Sequence, residues 1–326
     1  MSDPITPPPS VSEAAWIAAQ GFEVTAVEPL AGDVGSRRYR RLTLADGGTA
    51  LLVRHRGDEA ERLAADCRRF VATSALLAAA GVAVPRVLGA DCAAGRLLVE
   101  DAGPETLDRW AVSRPWPEVE VRLRAAVATA RCIGALASGE VAHLSPPLDR
   151  ALLRRELALT EERFLGPRGA LDDAIFAHHL GEAFDALAAA VAAPPPVVCH
   201  RDYMVRNLLP RGDDGVTVID HQDLRLGPPL YDLASLLNDT LFPPRSLETE
   251  LLAEWGLGAE GKVDYHRVAA QRTLKALGSY AMAAEAGNRK RLPLVVPTLA
   301  RALEHLAAAP ETAEMAGELR RRVGKM

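Results

Sequence analysis

Lysine is missing from one long stretch of the chain. Between Ala31 and Glu100 there is none, although eleven arginines lie there. Cysteine is scarce as well. Cys67, Cys92, Cys132 and Cys199 include no C-x-x-C pair, so neither a zinc site nor a disulfide framework is expected, and the chain reads as a protein of a reducing, cytoplasmic compartment. No basic segment followed by an apolar stretch opens the sequence, which argues against a secretory signal. Apolar runs such as Leu187–Ala193 are too short to cross a bilayer, so no membrane partner is expected. Net positive charge is absent too: 38 basic against 43 acidic residues give −5, unlike a nucleic-acid binder. Neither a G-x-x-x-x-G-K-[ST] loop nor a dinucleotide glycine fingerprint occurs.

What is present is ordinary globular composition over 326 residues, 48% hydrophobic and 25% charged, enough for about two domains. Residues 1–10 are Pro-rich and read as a tail. Val11–Gln20 reads as a short helix. Phe22–Leu30, Arg37–Leu44, Thr49–Arg56, Val82–Gly89 and Arg96–Val99 read as strands, with a glycine loop over Ala31–Ser36 and a turn at Asp46-Gly47-Gly48. The long helix Glu59–Ala80 would place Leu63, Cys67, Phe70, Val71, Ser74 and Leu77 on one face. Residues 1–100 are thus expected to form an α+β lobe, an antiparallel sheet of about five strands with one helix. After the connector Glu100–Pro104, residues 101–326 read as a mostly helical lobe, with helices near Glu118–Ser138, Asp149–Phe164, Leu171–Ala192, Tyr231–Leu241, Asp264–Ala286 and Val295–Ala308. The stretch from Ala31 to Glu100 carries +3 while the rest carries −8. Its cluster Arg37, Arg38, Arg40 and Arg41 is either a solvated strand edge or an anion site.

The segment with chemistry runs from Val197 to Leu237. His200-Arg201-Asp202 is followed by Asn207 five positions after the Asp, and Asp220 comes 13 residues later, closing the apolar run Val216–Ile219. An amide oxygen and a carboxylate are ligands that Mg²⁺ takes alongside phosphates and water. A carboxylate beside them can accept a proton from a hydroxyl. H-R-D alone is a weak signal, but H-R-D-x-x-x-x-N with a strand-terminal Asp at this interval is the division of labour of kinase-type phosphoryl transfer.

These residues resemble the aminoglycoside phosphotransferase/choline kinase superfamily, relatives of the protein kinases. The resemblance is nearest to its bacterial anomeric sugar kinases, which phosphorylate the C1 hydroxyl of N-acetylmuramate and N-acetylglucosamine in cell-wall recycling. It covers most of the chain, including Arg37-Arg38-Tyr39, Leu97-Leu98-Val99-Glu100-Asp101, Arg206-Asn207-Leu208, Asp220-His221-Gln222-Asp223, Tyr231-Asp232-Leu233-Ala234 and Gln271-Arg272 with Leu274-Lys275. The resemblance implies a bilobal protein-kinase-like fold, ATP and Mg²⁺ as cofactors and an amino-sugar acceptor. It implies Asp202 as catalytic base, Asn207 and Asp220 as metal ligands, and Glu100 and Asp101 at an adenine-binding hinge. Asp223 would help hold metal or substrate, and Asp232 would brace the catalytic loop.

One departure stands against this pattern. The third strand carries no lysine, so an arginine would have to hold phosphate with its fork. Arg37, Arg38 and Arg54 are the candidates, with Glu59 or Glu61 to orient one of them; a surface salt bridge is the alternative for Arg54. Arg206 is a candidate for a substrate carboxylate or phosphate. Arg272 and Lys275 share a helix face at i, i+3 and would line the acceptor cleft or lie on a solvated face. His200 reads as scaffold, His221 as packing or a pH reporter, and Cys199 as core. The readings competing with an amino-sugar kinase are an aminoglycoside or amino-alcohol phosphotransferase, whose cationic acceptors would call for an acidic cleft, and a nucleotide-binding pseudokinase.

Overall fold

The computed structural model describes residues 11–30, 37–55 and 60–324. The expected tail 1–10, the glycine loop 31–36 and Glu59 lie outside the described residues. In chain order the first elements are α1 (Val11–Ala19), β1 (Val24–Leu30), β2 (Arg37–Leu44), β3 (Thr49–His55), α2 (Ala60–Ala79), β4 (Val87–Asp91) and β5 (Arg96–Glu100). They are followed by α3 (Leu107–Ala111), α4 (Trp116–Gly134), α5 (Arg150–Thr160), α6 (Ala174–Ala192), β6 (Val197–Cys199), β7 (Leu208–Arg211), β8 (Gly215–Val218) and β9 (Arg225–Gly227). The chain closes with α7 (Tyr231–Leu237), α8 (Arg245–Glu254), α9 (Ala259–Glu285), α10 (Val295–Ala308) and α11 (Ala313–Val323). Two compact units result: residues 1–105 with 209–223, and residues 106–208 with 224–326.

The first unit holds a five-stranded antiparallel sheet in the order β1-β2-β3-β5-β4. Successive side chains of a strand alternate between faces, and both faces here are covered. Leu42, Leu44, Ala50, Leu52 and Leu98 pack with Ile17 of α1, the short helix expected over Val11–Gln20, so the sheet carries two helices where one was expected against it. Val53, Leu97 and Val99 pack with Cys67 and Phe70 of α2. The expected strand Val82–Gly89 pairs only from Val87 onward. The β7–β8 hairpin belongs to this unit and is tied to it where the Val218 N–H donates to the Ala83 carbonyl at 2.8 Å.

The cysteines correct one expectation. Cys67 and Cys92 form a disulfide, with Cα atoms 5.3 Å apart. Their separation of 25 residues shows no local signature; the sheet brings the end of β4 to the buried face of α2. Cys132 and Cys199 are free, and Cys199 lies in the core as expected.

The second unit is helical. The 27-residue α9 runs against α5, α6, α7 and α10. At its crossing with α5, Gly278 comes so near Thr160 that a Cβ would sit 2.7 Å from the Thr160 Oγ1 and 2.9 Å from its backbone N. Thr160 is fully buried, and its hydroxyl donates to the Leu274 carbonyl at 2.6 Å. There α5 passes into a π-helical turn over Glu161–Leu165, earlier than the expected end at Phe164. No helix among the described residues is long and apolar enough to cross a membrane.

Candidate active site

In the second unit, β6 pairs antiparallel with β9, and this ribbon launches the loop that carries Asp202. The loop's backbone is held in an uncommon shape. Arg201 has φ 77°, a left-handed conformation that costs a non-glycine residue energy and persists only where surroundings enforce it. The enforcing group is Asp232, at the start of α7. Its carboxylate accepts the backbone N–H of His200 at 2.6 Å and of Arg201 at 3.0 Å. Burial pushes the Asp232 carboxyl up to about 6, against the pull of His200 and of those two N–H donors. His200 itself is fully buried. On the far side the Asn207 Nδ2 donates to the Asp202 carbonyl at 2.8 Å. That leaves the amide oxygen as the acceptor of the Asn207 side chain.

The Asp202 carboxylate faces α9. Arg272 Nη2 and Lys275 Nζ both reach its Oδ1 at 3.3 Å. The i, i+3 spacing therefore does bring both cations to one point. Burial alone would raise the Asp202 carboxyl, but Lys275, Arg272, Arg201 and His200 outweigh it and hold the group well below the usual carboxylate range. Lys275 is pulled down by burial and by Arg272, and Asp202 and Glu156 only partly restore it. Arg272 is further fixed by donating its Nε to the Ser235 hydroxyl at 2.7 Å.

These groups line a cavity of about 120 Å³. That is below the volume of a pocket for a drug-sized ligand, so it suits the reacting end of a small acceptor. Arg206, Asp239, Ser279 and Tyr280 complete its polar wall. Of these, only Arg206 was singled out by the sequence. Ser279 and Tyr280 had a readable signal, because Arg272, Lys275, Ala276, Ser279 and Tyr280 fall at i, i+3, i+4, i+7 and i+8 of one helix, a single stripe; Asp239, outside that helix, had none.

The first unit carries the other predicted residues. Asp220, just past β8, has φ 61° and a side chain 44% exposed. Arg37 at the start of β2 approaches its Oδ1 at 3.3 Å and donates to the Gln222 Oε1 at 3.0 Å and the Tyr39 hydroxyl at 3.3 Å. Gln222 in turn donates to the Asp220 Oδ1 at 3.0 Å. Burial lowers the Arg37 guanidinium, yet Tyr39, Asp220 and Asp223 together keep it above its ordinary value. His221 is clamped by α2: Thr73 Oγ1 lies 2.9 Å from its Nδ1, Ser74 Oγ lies 3.3 Å from its Nε2, and the Phe70 ring stacks at 4.7 Å.

The remaining candidates are spread out. Arg38 faces solvent. Arg54 pairs with Glu13 at 3.0 Å and reaches the Ala94 carbonyl, not Glu61 of α2. Asp101 is held by Arg41, at 2.5 Å from Nε and 3.1 Å from Nη2. Glu100 pairs with Arg86 at 3.4 Å, while its backbone N–H donates to the Arg86 carbonyl.

A sheet unit and a helical unit, with a strained H-R-D loop in the second and a strained Asp after a hairpin in the first, define a phosphotransferase of protein-kinase-like α+β fold. Comparison with known proteins agrees. A family model described as phosphotransferase enzyme family matches residues 26–271. A Pseudomonas aeruginosa protein named N-acetylmuramate/N-acetylglucosamine kinase is 31% identical over 89% of this chain and 86% of its own. Among solved structures, an aminoglycoside 2′-phosphotransferase in complex with GDP superposes with a TM-score of 0.63 at 14% identity, over 89% of this chain and 97% of that one. A choline/ethanolamine kinase family protein from Mesorhizobium loti superposes with a TM-score of 0.58 at 20% identity, over 91% and 93%. The chain belongs to the phosphotransferase enzyme family and is a small-molecule kinase.

Proposed function

We propose that the protein transfers the γ-phosphoryl group of ATP to the anomeric C1 hydroxyl of N-acetylmuramate or N-acetylglucosamine, a step of cell-wall recycling. The observation that carries the choice of acceptor is the charge of the cavity wall. Arg206, Arg272 and Lys275 face Asp202 and Asp239, three cations against two carboxylates. A polycationic aminoglycoside is repelled by such a wall, whereas a neutral or carboxylate-bearing amino sugar is not. The relatives named as kinases of these two sugars support the same reading.

In this reading Asp202 accepts the hydroxyl proton. A base held below the usual carboxylate range is a weak one, which suits an acceptor whose proton is more acidic than that of an ordinary alcohol, as an anomeric hydroxyl's is. Asp220 and Asn207 each offer, from their own unit, an oxygen of the kind Mg²⁺ takes. The metal, when bound, neutralises charge on the transferring phosphoryl group. Arg37, already fixed beside Asp220 and Asp223, takes the part that lysine plays in other kinases. Arg272 and Lys275 keep Asp202 ionised and aimed.

The test is purified protein with Mg-ATP and a panel of N-acetylmuramate, N-acetylglucosamine, glucose, choline and kanamycin, read by mass spectrometry for a phosphorylated product. Phosphorylation of the N-acetyl sugars, with loss of reducing-end reactivity, is the expected result. A product from kanamycin or choline alone moves the acceptor elsewhere in the family. ATP binding with no product from any acceptor returns the pseudokinase reading.

A further inference from the structure

Arg206 lies beside Asn207 in sequence, but its guanidinium turns into the acceptor cavity and meets Asp239. Nη1 donates to the Asp239 Oδ1 at 2.9 Å and to the Thr240 hydroxyl at 3.0 Å. The second carboxylate oxygen accepts from the Thr240 hydroxyl at 2.8 Å, and the Tyr280 hydroxyl stands 3.5 Å from Oδ1. The pair is buried, with side chains 16% and 8% exposed. Among the described residues Asp239 is the one carboxylate of the cavity wall besides Asp202, and Arg206 neutralises it. Asp202 is likewise occupied by Arg272 and Lys275. Arg272 lies near enough to feel Asp239, but its Nε donates to Ser235 and its Nη2 to Asp202.

We propose that Arg206 is the charge filter of the acceptor site: by pairing with Asp239 it removes the carboxylate that an ammonium-bearing acceptor would bind, and so restricts the enzyme to neutral or anionic sugars. The proposal rests on the acceptor reading above and deepens it from sugar identity to the charge rule behind it. The physical case is the asymmetry of buried ion pairs. Breaking one by removing a single partner leaves an uncompensated charge, here a carboxylate facing the cavity. An incoming ammonium would then supply the missing partner, whereas in the intact site it meets a filled pair and two further cations. Specific sites use such repulsion alongside attraction.

N-acetylglucosamine and glucosamine are the probes, because they share every hydroxyl and differ only in whether the nitrogen is acylated or a protonated amine. With Mg-ATP, at a pH where the amine is protonated, wild type is expected to favour N-acetylglucosamine. Arg206→Met is expected to raise the glucosamine to N-acetylglucosamine ratio of kcat/KM by at least about tenfold. Arg206→Lys, which keeps a cation, should hold the wild-type preference. Arg206→Met combined with Asp239→Asn should return the ratio toward wild type, since the stranded carboxylate is then gone. A residue that only braces the loop would lower both kcat/KM values in parallel. A folded Arg206→Met protein with an unchanged ratio therefore overturns the filter while leaving the acceptor reading intact. A wild type that turns over neither sugar sinks the acceptor reading. The filter is then read from ligand-observed NMR on the same two sugars: glucosamine binding gained only on Arg206→Met supports it, and unchanged binding of both overturns it.

Discussion

The two carboxylates that the sequence marked for chemistry are held in opposite ways. Asp202, in the helical unit, receives two cations from one face of α9, and its side chain is one-third exposed. Asp220, in the sheet unit, is more open and, among the described residues, is paired with one cation, Arg37. Both loops carry a left-handed non-glycine residue, Arg201 in one and Asp220 itself in the other. The restraints differ as well. Asp232 grips the first loop through its backbone N–H groups, whereas α2 grips the second through the His221 side chain. A proton acceptor needs a fixed orientation and a fixed charge, and buried cations give both. Under the roles proposed above, a ligand for a metal that arrives with nucleotide needs a charge that can be released, and one arginine on an exposed carboxylate leaves it free to exchange partners.

That contrast is broken most severely at Asp202. Asp202→Asn keeps the shape but cannot take a proton, and kcat should fall by roughly 10²–10⁴, the usual worth of a general base. Nucleotide affinity, measured by calorimetry, should stay within a few-fold. Turnover near wild type would remove Asp202 from the chemistry. A smaller effect is expected on the other side. Arg37→Met should lower kcat/KM for ATP by roughly ten- to a hundredfold, the range for hydrogen bonds to a charged group. Arg37→Lys should recover only part of this, because one ammonium cannot reproduce a fork that reaches Asp220, Gln222 and Tyr39 together. Full recovery would mean that charge alone matters there.

Much of this was legible in the sequence because it is local. The strand read at Thr49–Arg56, the turn at Asp46-Gly47-Gly48 and the spacing from Asp202 to Asn207 all read within one element or motif. The i, i+3 relation of Arg272 and Lys275 put both on one face, and the structure turns that face to Asp202. What escaped depends on contacts distant in sequence. Cys67 and Cys92 meet because a sheet edge returns to a helix. Thr73 and Ser74 look out of place on the buried face of α2 until His221 fills the space beside them. Arg54 had the right strand for a phosphate contact, and only the position of α1 shows that Glu13 takes it. Asp239 lies just past the end of α7, where no local pattern marks a carboxylate as part of a cavity.

The same reasoning sharpens the comparison at the level of support. Gly278 lies one turn beyond Lys275 and sets how close α9 comes to α5. Gly278→Ala would force a Cβ onto Thr160. Overpacking of this kind costs about 1–3 kcal/mol, visible as a melting temperature lower by a few degrees. It should also blunt kcat, since the same helix aims Lys275 and Arg272. A variant that melts as wild type does would show that the crossing relaxes without cost.

The smallest expected effect is a pH dependence beneath the acceptor cavity. His305 is buried, and its Nε2 lies 2.8 Å from the Asn238 Oδ1. Asn238 donates its Nδ2 to Tyr265 and to the Ala234 carbonyl, so His305 must carry its proton on Nε2. Its Nδ1 then accepts from the His266 Nδ1, 2.9 Å away. A second proton on His305 would set two N–H groups against each other. Burial, His266 and Arg245 together push the His305 imidazole down to about 3. The unfolded chain takes up that proton near pH 6.5 and the native state does not, so stability should fall as pH drops below about 6.5. The slope contributed is at most about 1.4 kcal/mol per pH unit. Asp232 works in the opposite direction, because its raised carboxyl lets the native state bind a proton before the unfolded chain does. Urea melts of wild type and His305→Gln between pH 7.5 and 5 separate the two, since Asp232 is common to both proteins. The variant should start less stable and lose less on acidification. Parallel slopes would mean that the buried histidine pair is not what acid disturbs.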